Sequence, residues 1–192
     1  MSAQILLLRG INVGGHGKLP MADLRAMLDD LGAGGAKTHL QSGNAVCPTP
    51  INPGDLADRI EAVHGFRRDI IALTAEDWRK RIATNPFPTG LPKTLHGYFH
   101  DDAAIDTAPM EAPRDPTEAL SSHPGVLWLH TPNGFGTSKL ASKIERLAGE
   151  PMTARNWNTI AAITTLIDNL GLHQILCQPR DIPAQNAYIL RK

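Results

Sequence analysis

The sequence predicts an α+β fold made of two ferredoxin-like subdomains, of the split βαβ type, that share one compact core. Short apolar runs alternate with amphipathic stretches, and pairs of strands joined by polar turns interrupt the alternation. The second half repeats the order of strand, glycine-rich loop and helix seen in the first, without a detectable sequence repeat. A proline-rich stretch at 85–92 favours a division into subdomains 1–84 and 93–192.

The first strand and helix have the clearest patterns in the chain. Ile5–Leu8 is a continuous apolar run before glycines, which is typical of a strand buried on both faces. Apolar residues at three- and four-residue steps predict a helix over Met21–Leu31. Pro20 suits the start of this helix, and Gly32 ends it.

The rest of the first half follows from the same kinds of signal. Asn52 is expected to cap a helix that starts at Pro53 and ends at Gly65, and Thr74 is expected to cap the next one. The other predicted elements are the strands Ala36–Leu40, Ala45–Cys47 and Asp69–Leu73 and the helix Ala75–Ala83.

The second half has fewer distinct signals. Between Asp101 and Ser122 the chain is rich in Pro and Asp, with a weak helical pattern near Thr117–Leu120. Elsewhere the patterns predict strands at Leu95–Phe99, Val126–His130 and Tyr188–Leu190, a helix from Ser138 that Gly149 ends, and a helix from Trp157 to Leu170.

The composition limits the classes of function. The 19 basic and 19 acidic residues cancel, which argues against sequence-blind nucleic-acid binding but does not exclude a local basic patch.

Cys47 and Cys177 are far apart and beside apolar residues, so we expect reduced, packed thiols. No signal peptide or membrane span is recognisable, and the expected location is the cytoplasm. His96 and His100 are separated by roughly 13 Å along a strand, too far for one zinc, so neither a metal nor a cofactor is expected.

The loop Arg9–Gly15 and the residues after it form the first candidate site. The Gly17-Lys18 pair lacks the preceding glycine and the following hydroxyl of a P-loop, and the dinucleotide fingerprint lacks its third glycine. Exposed amides, Arg9, Asn12 and Lys18 before a helix still form a reasonable anion site. The alternative is that the glycines permit a tight path and Arg9 pairs with a carboxylate at the core edge.

Two other polar stretches are candidates. Gln41, Ser42 and Asn44 could hydrogen-bond a ligand, or they could simply form a turn, and no nucleophile motif surrounds Ser42. The third stretch, at 155–157, has more than one interpretation. Its arginine could bind an anion, its asparagine could cap a helix, and its tryptophan could stack on a base or be a buried anchor. Its candidate residues are Arg155, Asn156 and Trp157, with Lys139 on the preceding predicted helix.

These stretches resemble one known family. The matching strings are Leu7–Gly15, Pro20–Leu24, Thr38–Asn44 and Ala154–Thr159, which are similar to the bacterial DUF1697 family, with the Gly134–Lys139 loop also fitting. The resemblance spans roughly residues 4–170 and is poor over 101–123 and in the C-terminal tail. It implies an α+β fold of two related, ferredoxin-like subdomains. The family has no established activity, so the resemblance implies a shared polar site without naming its chemistry.

The function expected from the sequence is a cytoplasmic module that binds an anionic ligand. The ligand would be a nucleotide, a phosphorylated metabolite or a nucleic acid, held by the positive charges of Arg9, Lys18, Lys139 and Arg155. No catalytic residue is assigned. The alternatives are an enzyme of unknown class acting on a phosphorylated or nucleotide-like substrate by electrostatic stabilisation, or an interaction protein without a small ligand. The oligomeric state does not follow from the sequence.

Overall fold

The computed structural model describes residues 3–15, 17–87, 92–100 and 103–176, with side chains described as far as residue 170. We call residues 3–87 the first half and residues 92–176 the second half. The first half contains β1 (Gln4–Leu8), α1 (Met21–Asp30), β2 (Lys37–His39), β3 (Asn44–Cys47), α2 (Pro53–His64), β4 (Ile70–Thr74) and α3 (Ala75–Ala83). The second half contains β5 (Leu95–Phe99), β6 (Ala119–His123), β7 (Val126–His130), α4 (Ile144–Ala148), β8 (Thr153–Asn156) and α5 (Trp157–Leu176).

Each half has one four-stranded antiparallel sheet, and the two sheets have the same topology. The strand orders are β2-β3-β1-β4 and β6-β7-β5-β8, so the first strand of each half pairs with the third and fourth. Between β5 and β6 a 3-10 turn at Ala108–Met110 stands where the first half has α1 between β1 and β2. The predicted pair of ferredoxin-like α+β units is therefore confirmed.

Strand β1 is buried on both faces, as its continuous apolar run predicts. Leu6 and Leu8 pack with α1 and α2 in the core of the first half. Ile5 and Leu7 point to the opposite face, where they join a cluster that also includes residues of the second sheet. Alternate residues of β1 thus pack into two different apolar layers, one inside the first half and one between the two sheets.

The layer between the two sheets is shared by both halves, and helices α3 and α5 contribute to it. The ring of Trp78 on α3 stacks on Phe99 of β5, with ring centroids 4.9 Å apart. Its indole nitrogen donates to Thr164 of α5 at 3.0 Å. Trp128 of β7 donates in the same way to Thr84, also at 3.0 Å. Both buried indoles thus pair polar groups across the halves.

The capping residues expected from the sequence perform that role. Asn52 accepts a hydrogen bond from the backbone N–H of Gly54 at 2.8 Å, and Thr74 accepts one from that of Asp77 at 3.0 Å. Gly65 ends α2 in the left-handed conformation, with φ of 72°. These short-range signals place the helices of the first half correctly.

Two predictions for the second half are wrong, and one further strand was not anticipated. Residues 117–120 do not form a helix, because Ala119–His123 is strand β6, held by pairing with β7. The helix expected from Ser138 begins only at Ile144: the hydroxyl of Ser138 accepts from the N–H of Ala141 at 2.9 Å and holds a turn instead. Strand β8 was not predicted, and its pairing with β5 makes it a strand.

Two predictions concern the ends of the second half. Helix α5 starts at Trp157 as expected and continues to Leu176, beyond the predicted end at Leu170. The predicted strand Tyr188–Leu190 lies outside the described residues. The division into units 1–84 and 93–192 remains a prediction.

Candidate functional site

A cavity of about 990 Å³ opens between the two halves, and we call it the interhalf cleft. One side is formed by the end of β1, the loop that follows it and the segment before β4, and the other by α4, β8 and the loop after β7. Its lining residues are Leu8, Arg9, Gly10, Ile11, Val13, Ser42, Arg67, Arg68, Asp69, Phe135, Glu145, Met152, Thr153, Ala154 and Arg155. Four of these are arginines and two are carboxylates.

Asn12 fixes the shape of the loop after β1. Its backbone is left-handed, with φ of 53°, a conformation that asparagine tolerates better than most residues. Its side-chain amide donates to the carbonyls of Leu19 at 2.9 Å and Gln41 at 2.7 Å, and its carbonyl accepts from the N–H of Leu19 at 2.9 Å. Asn12 therefore braces this loop against the turn at Gln41, and its side chain does not line the cleft.

Arg155 is buried at the floor of the cleft and joins the two sheets. Only 6% of its surface is exposed, and burial lowers the pKa of its guanidinium to about 10, so it stays charged near neutrality. Its five N–H groups donate to Asn44 Oδ1, Thr153 Oγ1 (2.6 Å) and the carbonyls of Ala154 (2.8 Å), Leu8 (2.9 Å) and Ser42 (3.0 Å). Because five is the full donor capacity of arginine, no N–H is left for a ligand.

Asn44 and Ser42 complete this network from the first half. Asn44 is 1% exposed, and its amide donates to the carbonyl of His39 at 2.8 Å and to the hydroxyl of Ser42 at 3.0 Å. Its carbonyl oxygen accepts from Arg155. The polar turn is thus mainly an anchor for the buried guanidinium, and Ser42 alone of its side chains reaches the cleft wall.

Arg9 spans the cleft and is held on both sides. Its Nη1 donates to Asp69 at 2.9 Å, its Nε donates to the carbonyl of Met152 at 3.2 Å, and its Nη2 pairs with Glu145 of α4. This matches the alternative in which Arg9 pairs with carboxylates at the core edge. The side chain remains 31% exposed.

Arg67 and Arg68, which were not among the sequence candidates, add positive charge to the cleft. Arg67 pairs with Asp58 and lies 3.4 Å from Glu61. The guanidinium of Arg68 has no carboxylate partner in the part of the chain that the structure describes; it donates to the carbonyls of Gly10 at 3.4 Å and Arg67 at 2.9 Å. The sequence signal that could have identified them is their position as two adjacent arginines between Gly65, which ends α2, and strand β4.

The remaining sequence candidates lie elsewhere. Lys18 and Gln41 are exposed and do not line the cleft. Lys139 lines a separate cavity of about 470 Å³, so the structure does not bring it to Arg9 and Arg155. Asn156 caps α5 by accepting from the N–H of Thr159 at 2.9 Å. The ring of Trp157 packs against that of Trp128, with centroids 5.8 Å apart.

Among the described lining residues no nucleophile has a neighbouring base, and the two carboxylates, Asp69 and Glu145, both pair with Arg9. The two hydroxyls of the lining, Ser42 and Thr153, are hydrogen-bonded to Asn44 and Arg155, and no histidine or cysteine is among the described lining residues. Cys47 is buried away from the cleft as a free thiol, and burial raises its pKa to about 12.

Within residues 3–176, apart from the gaps given above, no three His, Cys, Asp or Glu side chains are grouped so as to hold a metal ion. No helix in the same ranges has both the length and the apolar composition needed to cross a membrane.

Comparisons with known proteins agree with the fold. The model of a family described as "Protein of unknown function (DUF1697)" matches residues 1–128. The conserved bacterial protein SP0830 from Streptococcus pneumoniae has a similar structure, with a TM-score of 0.63 and 23% sequence identity over 86% of this chain and 98% of that one. At that identity the likeness shows the fold alone. No functionally curated protein matches the chain.

Proposed function

The chain belongs to the DUF1697 family, and we propose that it is a binding module whose interhalf cleft takes an anionic ligand. The single observation that carries this proposal is Arg68. Its guanidinium lines the cleft and, among the described residues, has only backbone carbonyls as hydrogen-bond acceptors. Arginine is well suited to phosphate and carboxylate because its planar fork can donate two parallel hydrogen bonds.

The surroundings of Arg68 strengthen its attraction for an anion. Its side chain lies against the loop after β1, with Nε 3.8 Å from the position a Cβ would take on Gly10. The aromatic ring of Phe66 lies 5.3 Å from its guanidinium carbon, which helps to hold the side chain in place. Arg67 and Arg9 line the same cleft, but both pair with carboxylates, so Arg68 is the cleft arginine with no carboxylate partner and no buried network among the described residues. We place this binding module in the cytoplasm.

A thermal-shift screen tests the proposal. The purified protein is heated with inorganic pyrophosphate, ribose 5-phosphate, nucleotides, short RNA and short DNA. At a hundred times the dissociation constant, a ligand stabilises the folded state by about 2.7 kcal/mol, which raises the midpoint by roughly 5 °C or more for a protein of this size. The Arg68→Gln variant should lose most of that shift.

Arg59→Gln is the matched control. Arg59 is an exposed arginine on α2 that pairs with Asp30 at 2.8 Å and is not among the residues lining the cleft. This variant has the same loss of charge and should keep the full ligand shift. The proposal fails if no anion shifts the parent protein, or if Arg68→Gln responds as the parent does.

A further inference from the structure

Resting on the proposed function, we infer that the ligand is a phosphate monoester that carries a planar aromatic group, as a nucleoside monophosphate does. The cleft has an apolar wall in addition to its arginines. Both halves contribute to it: Val13 of the loop after β1 is exposed and Phe135 of the second half is half-buried, while Ile11 and Met152 are buried behind them. A small inorganic anion would leave this wall uncovered.

Val13 is the first sign that the apolar wall receives a ligand. Its side chain is 65% exposed, in a loop that otherwise consists of glycines and polar residues around the buried Ile11. Within the described residues three large hydrophobic side chains are exposed, Val13 the most, and Val13 alone of them lines the cleft. An exposed β-branched side chain beside arginines suits a ligand that is part apolar and part charged.

Phe135 provides a flat aromatic surface on the opposite side. Its ring stacks on the imidazole of His96, with ring centroids 3.7 Å apart and an angle of 21° between the planes. His96 is 8% exposed, and burial lowers its pKa to about 4, so this support is uncharged near neutral pH. Flat rings of this kind stack on nucleobases, whose faces are tolerant of base identity.

The size of the cleft and the balance of charge select a small ligand over a polymer. A volume of about 990 Å³ is at the upper end of the range for small-molecule sites. The chain as a whole has equal numbers of basic and acidic residues, and tight binding along a nucleic-acid backbone requires a longer run of positive charge. A ligand with one phosphate and one ring would contact both the arginines and the apolar wall of the cleft.

Isothermal titration calorimetry on the full-length protein tests this inference. The ligands are AMP, UMP, ribose 5-phosphate, pyridoxal 5′-phosphate, flavin mononucleotide and a 5′-phosphorylated RNA tetranucleotide. We expect AMP to bind at least 10-fold more tightly than ribose 5-phosphate, because only AMP adds a ring to the same phosphate. The pyridoxal and flavin compounds also combine a phosphate monoester with a planar ring. If one of them binds more tightly than AMP, the inference is supported and the ring is identified as that of a cofactor rather than a nucleobase.

The Val13→Ser variant separates the apolar wall from the arginines. It should weaken AMP binding about 3- to 10-fold while leaving ribose 5-phosphate unchanged, whereas Arg68→Gln should weaken both. Val63→Ser is the matched control, because Val63 is 60% exposed on α2 and outside the cleft lining. Both valines are exposed, so neither change threatens folding.

The outcomes distinguish this inference from the proposed function. The inference is overturned, and anion binding left in place, if no ring-bearing compound binds more tightly than ribose 5-phosphate, or if Val13→Ser leaves the affinity for the tightest of them unchanged. An RNA tetranucleotide that binds 10-fold more tightly than every mononucleotide overturns it in favour of a nucleic-acid ligand. If none of the compounds binds, the inference fails, and the proposed function fails with it only if the thermal-shift screen, which also includes inorganic pyrophosphate and DNA, shows no shift.

Discussion

The guanidinium of Arg155 joins the two sheets through hydrogen bonds that lysine cannot reproduce. Lysine has three donors on one nitrogen, so Arg155→Lys would leave buried acceptors such as Asn44 Oδ1 and the Leu8 carbonyl without partners. We expect a loss of about 3–5 kcal/mol in the free energy of unfolding, measured by urea denaturation.

Arg25→Lys is the control for that substitution. Arg25 is exposed and donates to Thr38 at 2.7 Å, so the change should alter the free energy of unfolding by less than about 0.5 kcal/mol. A loss below about 1 kcal/mol for Arg155→Lys would show that water or a shifted backbone satisfies the buried acceptors.

Glu145 occupies the position beside Arg9 that a ligand anion would take. The pair crosses the cleft from α4 to the end of β1, and the Glu145 side chain is 45% exposed. Glu145→Gln removes a competing negative charge, so the affinity for AMP measured by calorimetry should rise about 3- to 10-fold. Stability should change by less than about 1 kcal/mol because the pair is partly solvated. Weaker binding would mean that Glu145 itself orients the ligand.

His96 should make the protein less stable in acid. Burial lowers its pKa from 6.5 to about 4, so the unfolded chain binds this proton more readily than the folded one. Its contribution is therefore full above pH 6.5 and is lost as pH falls towards 4, by up to about 3 kcal/mol. His96→Phe should flatten this part of the pH profile in urea unfolding. Parallel profiles for the parent and the variant would contradict the assignment.

At the level of elements, the turn between β2 and β3 leaves no room for a side chain at Gly43. A Cβ on Gly43, whose φ is +74°, would lie 2.6 Å from Ile11 Cδ1 and 2.7 Å from Leu8 Cβ. Gly35 has a similar φ of +87° with nothing within 4 Å of a Cβ. Gly35→Ala should cost about 1 kcal/mol through backbone strain, and Gly43→Ala about 3 kcal/mol or more through strain plus overpacking. If the two variants lose the same free energy of unfolding in urea, overpacking at Gly43 does not contribute.

The elements that the sequence predicts well are those with local signals. Helices α1, α2 and α3 have amphipathic spacing or capping residues, and their bounds were predicted within a residue or two. Strands β6 and β8 are polar and become strands through pairing with β7 and β5. Sheet pairing depends on residues distant in sequence, so the polar stretches at 119–123 and 153–156 gave no strand pattern.

At the level of the whole molecule, the shared layer should prevent the first half from folding alone. A fragment of residues 1–84 would expose Ile5, Leu7, Val46, Leu73 and Trp78, which pack against the second half in the intact chain. Such a large apolar surface favours aggregation or a disordered chain. We expect poor dispersion in its 15N-1H correlation spectrum. A well-dispersed spectrum from a monomeric fragment would show that 1–84 is an independent domain.

The sequence by itself determined the fold class, the helices of the first half and the location of its polar loops, because apolar spacing, caps and glycines act over a few residues. Tertiary structure alone decided what those polar residues do. Arg155 and Asn44 were candidates for ligand binding, yet each is hydrogen-bonded to the other across 111 positions of sequence. Arg68 lines the cleft instead, because the packing of the two halves brings the loop after α2 beside β8. Whether an arginine is buried or open to a ligand depends on partners distant in sequence, which local patterns do not specify.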